Sequence, residues 1–351
     1  MSETMRRWSM DAVGRDRLKL ETVERPRPGP GEVLVRVAVV SLNYRDKLVI
    51  ETGFGLPLTF PFTPASDLAG VVEVAGDGAT RFKPGDRVIS AFIPNWISGL
   101  NNGNARVPPY RTLGGVFPGV LSEYVVFPED WFTATPASLD DAQASTLPVA
   151  GLTAWFALVE RGGPLPGRTV VIQGTGGVSL FGLQLAKAGG AQAIVTSSSA
   201  DKLARARALG ADHGIDRSRE DWVEAVLRLT GDRGADHIIE IAGGAGLGRS
   251  IQAAAMGGRI SVVGVMEGFE VSGPVGPIML KGLTIQGIGV GHRTAQEAFG
   301  RAVDDLGLKP VIDRRYAFED VQAALDHLDR GAFGKIVVDV GETPGGATAA
   351  P

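Results

Sequence analysis

Hydrophobic positions in the first third of the chain alternate in short, β-branched runs broken by glycine and proline. Val33 to Val40 follows the rigid lead-in Pro26-Arg-Pro-Gly-Pro-Gly31, and Ala69 to Ala75 repeats the alternation. Lys83-Pro-Gly-Asp86 turns into Arg87-Val-Ile-Ser90, and Leu121 to Phe127 runs up to Pro128. Such runs predict strands, and their punctuation predicts an irregular β-rich domain to about residue 148. The period then changes. Thr169–Gln173, Ala193–Thr196, His213–Asp216, His237–Ile241, Ile260–Val263 and Leu283–Gln286 read as six buried strands. Between them, apolar residues recur at three-to-four spacing over Gly177–Ala188, Asp201–Leu209, Glu220–Leu229 and Leu247–Ala255. Asp201 is expected to cap its helix. Strand–helix alternation of this kind predicts an α/β domain with a doubly wound, six-stranded parallel sheet over 149–290.

After residue 291 the pattern gives helices at Ala295–Leu306 and Phe318–Leu328 and one strand, Lys335–Val340. One strand and two helices cannot bury a core alone, so 291–351 is expected to complete the first domain, 1–148. The stretch 341–351 reads as a flexible tail.

Composition narrows the chemistry. Hydrophobic residues make up 44% and charged ones 21%, which excludes general disorder. Thirty-five basic and thirty-nine acidic residues give a net charge of −4, which offers no attraction to nucleic acid or an anionic membrane. No apolar run reaches the ~18 residues of a membrane span, and Met1-Ser-Glu-Thr-Met-Arg-Arg-Trp is not a signal peptide, so a soluble cytoplasmic protein is expected. There is no cysteine, and the four histidines (213, 237, 292 and 327) all follow residue 212. Thiolate zinc sites, iron–sulfur clusters and thiol nucleophiles are therefore excluded, as is a histidine-bound metal in the N-terminal part. Glycine, at 49 residues, is about twice its usual ~7% and predicts close backbone approach to a ligand.

Gln173-Gly174-Thr175-Gly176-Gly177-Val178-Ser179 lies between a predicted strand and a predicted helix, the context in which a glycine motif binds a dinucleotide. Gly174 permits the turn, Gly176 admits a pyrophosphate, and the N-terminus opened by Gly177 and Val178 holds it. Ser179 replaces the third glycine of the pattern. An NAD site places an acid at the end of the second strand, but here Ser197-Ser198-Ser199-Ala200 precedes any acid. Ser198 and Ser199, with Lys202 and Arg217, form a candidate 2′-phosphate site; a solvated helix face is the other reading of the two basic residues. NADPH is favoured over NADH. Gly264-Val265 follows the fifth strand, at the sheet end where dinucleotides bind.

Ser41-Leu-Asn-Tyr-Arg-Asp46, Thr63-Pro-Ala-Ser-Asp-Leu-Ala-Gly70, Phe82-Lys-Pro-Gly-Asp-Arg-Val88, Gly151-Leu-Thr-Ala-Trp155, Gly174-Thr-Gly-Gly-Val178 and Phe333-Gly-Lys-Ile-Val337 are similar, in order and spacing, to the medium-chain dehydrogenase/reductase superfamily. The resemblance spans about residues 20 to 340. It implies a GroES-like catalytic domain, a Rossmann domain, hydride transfer in a cleft between them, and a homodimer. Zinc alcohol dehydrogenases of the family carry Cys-His-x-Asp where this chain has Asn43-Tyr44-Arg45-Asp46, and Gly-His-Glu where it has Ala65-Ser66-Asp67. Asn43 and Ser66 thus replace the Cys and His ligands, and the four-cysteine structural lobe is missing. The chain resembles the zinc-independent branch of quinone oxidoreductases and enoyl reductases.

Without zinc, the substrates that fit best are hydrophobic α,β-unsaturated carbonyls and quinones, whose reduction gives delocalised anions that hydrogen bonds can stabilise. The resemblance places Tyr44 at the substrate carbonyl as oxyanion donor, with Asn43 as a second amide donor or nicotinamide contact, and Thr153 beside the nicotinamide amide. A core aromatic remains an open reading of Tyr44, and Asp46 reads as structural. A zinc-free alcohol dehydrogenase or ketone reductase, and an NADPH-binding sensor without turnover, are the alternative functions. Apolar 54–62 reads equally as the lining of a hydrophobic substrate pocket or as core packing, and the long 94–119 loop, with Trp96, Tyr110 and Phe117, as a lid over the substrate or a contact to a second subunit.

Overall fold

The computed structural model describes residues 3–101, 103–107 and 110–341; the expected tail lies outside the described residues from 342 on. The chain divides into two compact units, Met1–Val149 with His292–Pro351, and Ala150–Gly291.

The first unit opens with an antiparallel hairpin, β1 (Thr4–Met10) and β2 (Leu18–Glu24). The sheet then takes β3 (Glu32–Leu42), β4 (Asp67–Ala75), β5 (Arg87–Ser90), β6 (Tyr124–Pro128) and β7 (Phe132–Ala134). Strand β3 pairs with both β4 and β6, so its alternating valines are buried on a layer with Leu68, Val72, Val88 and Phe132. Between β3 and β4 lies a helix, Tyr44–Thr52, which sequence periodicity does not reveal because Leu48, Val49 and Ile50 are consecutive and not at three-to-four spacing.

In the second unit β8 (Thr169–Gln173), β9 (Gln192–Ser197), β10 (His213–Asp216), β11 (Ala235–Glu240), β12 (Ala254–Val262) and β13 (Thr284–Gly287) lie in the order β10-β9-β8-β11-β12-β13, all parallel. All six expected strands are present. Val170, Val171, Ile172, Ile194, Ile238 and Ile239 are fully buried, because helices cover both faces of a parallel sheet. The strand order reverses between β8 and β9 on one side and β11 on the other, which opens a crevice at their carboxyl ends.

The returning chain contains the helix Arg293–Leu306, β14 (Ile312–Ala317), the helix Val321–Arg330 and β15 (Lys335–Asp339). Strand β15 lies antiparallel to β3, and β14 parallel to β15. The segment therefore brings two strands, not one, to the first unit's sheet. Polar Asp313, Arg314 and Arg315 mask β14 in the sequence.

Candidate active site

At the end of β8, Gly174 adopts φ +74, and a Cβ there would approach Ile241 Cδ1 to 2.9 Å. Gly176 is the N-cap of the helix Gly177–Ala188, and no side chain caps that helix. A Cβ on Gly176 would meet nothing within 4 Å. The turn therefore presents unpaired N–H groups, at the positive end of a helix dipole, to open space, which suits a pyrophosphate. Ser179 does the work of the missing third glycine: its Oγ donates to Gln173 O at 2.7 Å and ties strand to helix.

Glu240, which the sequence pattern does not single out, organises the neighbouring strand end. It is fully buried and accepts from Ala242 N (2.7 Å), Gly243 N (3.2 Å), Gln173 Nε2 (2.8 Å) and Ser250 Oγ. Gln173 Oε1 in turn accepts from Ile241 N at 3.2 Å. Gly264 packs on this segment so closely that a Cβ would lie 2.3 Å from Ile241 O; it and Val265 are half-buried.

The end of β9 corrects one expectation. Ser199, not Asp201, caps the next helix, Ala200–Ala208: its Oγ accepts from Lys202 N at 3.3 Å, while Asp201 falls in the first turn. An N-cap oxygen must reach the N–H three residues on, and Ser199 is the residue so placed. Arg217 N donates to Ser197 O at 2.9 Å, which brings Arg217 beside Ser198 and Ser199; Ser198 and Arg217 are exposed. Thr153 is buried, in the short helix Leu152–Trp155 that contacts the helix Gly177–Ala188.

The first unit places its candidates at the N-terminus of the helix Tyr44–Thr52. Asn43 N donates to Asp46 Oδ2 at 2.8 Å, the backbone half of a capping interaction. Because Ile336 of β15 pairs with Leu42 of β3, Lys335 points at the same spot. Its Nζ donates to Leu42 O (2.7 Å) and to Asn43 Oδ1 (2.5 Å). Asp67 Oδ1 accepts from Ser66 Oγ at 2.7 Å, and Oδ2 from Val149 N at 3.1 Å. Burial pushes the Asp46 carboxyl up to about 6 against the pull of Arg45. It also raises Asp67 and lowers Lys335, with Lys335 and the two carboxylates opposing these shifts in each other. Tyr44 is 41% exposed, so it is no core aromatic; Lys47 Nζ lies 5.9 Å from its ring centre. On the same helix Lys47 pairs with Glu51 (2.6 Å) and Asp329 (3.2 Å), anchoring it to the helix Val321–Arg330.

Asn43 gives its amide oxygen to Lys335, and its Nδ2 is buried without a hydrogen-bond partner. The amide oxygen thus orders the helix start, which the amide nitrogen does not. Nor do these residues suit zinc. Ser66 is committed to Asp67, an ammonium stands against Asn43, and the described residues contain no group of three or more His, Cys, Asp or Glu able to hold a metal.

Residues 29–137 match the alcohol dehydrogenase GroES-like domain, and residues 177–307 match the zinc-binding dehydrogenase family. A zinc-type alcohol dehydrogenase-like protein of Schizosaccharomyces pombe is 35% identical over 93% of this chain and 96% of its own length. The chain belongs to the medium-chain dehydrogenase/reductase superfamily. It is thus an oxidoreductase whose fold implies a nicotinamide dinucleotide, and the glycine turn of the second unit fits one. Human quinone oxidoreductase is 28% identical over 93% of this chain and 94% of its own. Among solved structures, a provisionally assigned alcohol dehydrogenase of Sinorhizobium meliloti 1021 superposes with TM-score 0.94 at 65% identity, covering 97% of this chain and 99% of that one. An NAD-dependent alcohol dehydrogenase superposes with TM-score 0.87 at 35% identity, covering 96% and 100%. Among the described residues no helix is long and apolar enough to cross a membrane.

Proposed function

We propose that the chain is a zinc-independent, NADPH-dependent reductase of hydrophobic α,β-unsaturated carbonyls or quinones, working in the cytoplasm as a homodimer. The observation that carries this reading is the replacement of the metal-binding side chains by Asn43 and Ser66, both already engaged by Lys335 and Asp67. Without a Lewis acid, a saturated carbonyl lacks its main electrophilic assistance, whereas an enone or quinone spreads the incoming charge over a conjugated system. The likeness to quinone oxidoreductase supports the same substrate class.

NADPH, when bound, supplies a hydride. In this reading Gly174, Gly176, Gly177 and Val178 bind its pyrophosphate, Thr153 its nicotinamide amide, and Gly264 and Val265 flank it. Ser198, Ser199, Lys202 and Arg217 receive the 2′-phosphate. Tyr44 Oη donates to the substrate oxygen as negative charge gathers there, passes it a proton, and recovers one from the water that its exposure admits. Asn43 keeps the start of the Tyr44 helix in register from within. Exposed Met256 on β12, Met279 and Leu280 on the helix Val275–Lys281, and Ile285 on the edge strand β13 support the homodimer.

A second reading, a zinc-free alcohol dehydrogenase or ketone reductase using NADH, draws on the NAD-dependent alcohol dehydrogenase relative. One assay separates the readings: absorbance of reduced nicotinamide followed with NADPH and NADH, against quinones, enones, saturated ketones and alcohols, with and without a chelator. The proposal expects NADPH consumption with quinones or enones, unaffected by chelation. Turnover restricted to alcohols and ketones, or loss on chelation with recovery by zinc, overturns it; no turnover with any of these favours a sensor. With the active substrate, Tyr44→Phe should cost ~2.7–4 kcal/mol of transition-state stabilisation at nearly unchanged NADPH affinity.

A further inference from the structure

We propose that Arg45 is a positioning residue that fixes residues 110–114 against the Tyr44 helix and thereby sets which substrate sizes the first unit accepts. The inference rests on the reading of Tyr44 as the residue that meets the substrate oxygen. Arg45 follows Tyr44 directly, yet its side chain turns inward and is only 10% exposed. Its Nε donates to Tyr110 Oη at 3.0 Å, Nη1 to Gly114 O at 3.0 Å, and Nη2 to Thr112 Oγ1. Three bonds from one guanidinium thus reach Tyr110, Thr112 and Gly114, within five residues at the close of the long 94–119 loop.

The same group lies 5.0 Å over the Phe92 ring and 5.5 Å over the Tyr110 ring, and Nη1 stands 3.7 Å from Asp46 Oδ1. Tyr110 meets Phe92 edge-on at 6.0 Å and Phe54, at the head of the apolar 54–62 segment, at 6.5 Å. One side chain therefore joins the catalytic candidate's helix to an aromatic wall of Phe54, Phe92 and Tyr110. Only a planar fork serves here, because an ammonium cannot address three acceptors in one plane while stacking on two rings. The fit leaves no slack: a Cβ on Gly115 would lie 2.4 Å from both Arg45 Nη2 and Thr112 Oγ1.

If Arg45 holds this wall, loosening it changes which substrates fit before it changes the chemistry. The test uses Arg45→Met, Arg45→Lys and Gly115→Ala, the last displacing the guanidinium without removing its charge. Two quantities are read on each full-length protein. Hydrogen exchange of the 113–115 amides should speed up by at least about tenfold in Arg45→Met, since Leu113 N, bonded to Phe92 O at 3.1 Å, loses its brace. The ratio of kcat/KM for 2-cyclohexenone to that for phenanthrenequinone should shift by at least about fivefold in Arg45→Met and in Gly115→Ala, with Arg45→Lys between. A purely structural arginine would lower both substrates together and leave the ratio alone. Native exchange at 113–115 in Arg45→Met, or a ratio within about twofold of wild type in both Arg45→Met and Gly115→Ala, overturns the proposal. Should Arg45→Met fail to fold, the ratio in Gly115→Ala decides alone. If the chain instead turns over alcohols, the ratio is taken between ethanol and benzyl alcohol, and the exchange readout needs no turnover. Failure of the enone or quinone reading therefore remains distinct from failure of Arg45.

Discussion

Two buried acidic centres, one in each unit, are built on opposite plans. Glu240, at the dinucleotide crevice, is surrounded by neutral donors: two backbone N–H groups, an amide and a hydroxyl. Asp46, in the first turn of the Tyr44 helix, and Asp67, at the start of β4, are surrounded by charge, with Lys335 and Arg45 as their counterweights. The first arrangement is insensitive to its surroundings, since fixed dipoles stay where the backbone puts them. The second is a balance among charges removed from water, and any change in one member is felt by the others. A site that must cradle the same cofactor phosphate in every turnover suits the first plan. A site that must answer to charge developing on a substrate suits the second.

The comparison is broken most directly at Glu240. Glu240→Ala strips the acceptor from the half-buried N–H of Ala242 and the buried N–H of Gly243, and two such donors without partners cost about 2–6 kcal/mol together. Denaturant unfolding should show a loss in that range. Glu240→Gln should lose less, because it retains one carbonyl oxygen while its amide faces the Gln173 amide. Gly264 packs on Ile241, so dinucleotide affinity should fall with stability. A Glu240→Ala protein as stable as wild type would show that fixed donors are not what secures this end of the sheet.

The counterpart in the first unit is a pH effect. Folding raises Asp46 from 3.8 to about 6, so the native state holds the proton more tightly than the unfolded chain. Its contribution to stability is therefore fully present below about pH 4 and is lost as pH rises through 6. Over that window the shift corresponds to about 3 kcal/mol. Asp46→Asn keeps an oxygen for Asn43 N and cannot titrate. The stability of wild type minus that of Asp46→Asn should then fall between pH 4 and pH 7, whatever the absolute stabilities. A difference that stays flat would mean that burial does not hold the proton on Asp46.

The same contrast decides what was legible in the sequence. The glycine turn occupies contiguous residues, 174–179, and needs only backbone and a helix start, so its pattern announces it. The charge cluster joins Asn43 to Lys335, 292 positions away, and Arg45 to Tyr110, 65 positions away. No local period encodes such pairings. Asn43 was readable as a substituted metal position but not as the partner of an ammonium. The Tyr44 helix did leave a trace, because Asn43 and Asp46 stand at the spacing of a capping box. Ser199 and Lys202 likewise stand at the spacing of an N-cap and its target, but Asp201, an equally good capping residue two positions on, competes for the role. Glu240 lies inside the predicted strand His237–Ile241, and its worth depends on donors from three elements that only the fold assembles.

The smallest effect sharpens the comparison at the surface of the second unit, where charge is placed in water. In the proposed reading Lys202 meets the 2′-phosphate from the helix that Ser199 caps, with Arg217 brought alongside by its backbone bond to Ser197. A charge-assisted contact of this kind is worth ~1.5–3 kcal/mol, so Lys202→Ala should weaken NADPH binding roughly 10- to 100-fold. NADH, which lacks that phosphate, should lose almost nothing. Stability should hardly move, because the helix cap uses the Lys202 backbone N–H, and alanine keeps it. Salt adds a second axis: an exposed ion contact is screened within about 8–10 Å at ordinary ionic strength, so the wild-type preference for NADPH should narrow as salt rises. Fluorescence titration of both reduced cofactors, at low and high salt, reads all of this on two proteins. Equal losses for NADPH and NADH would assign Lys202 to the helix surface alone, and a wild-type preference for NADH would remove the phosphate site from the second unit altogether.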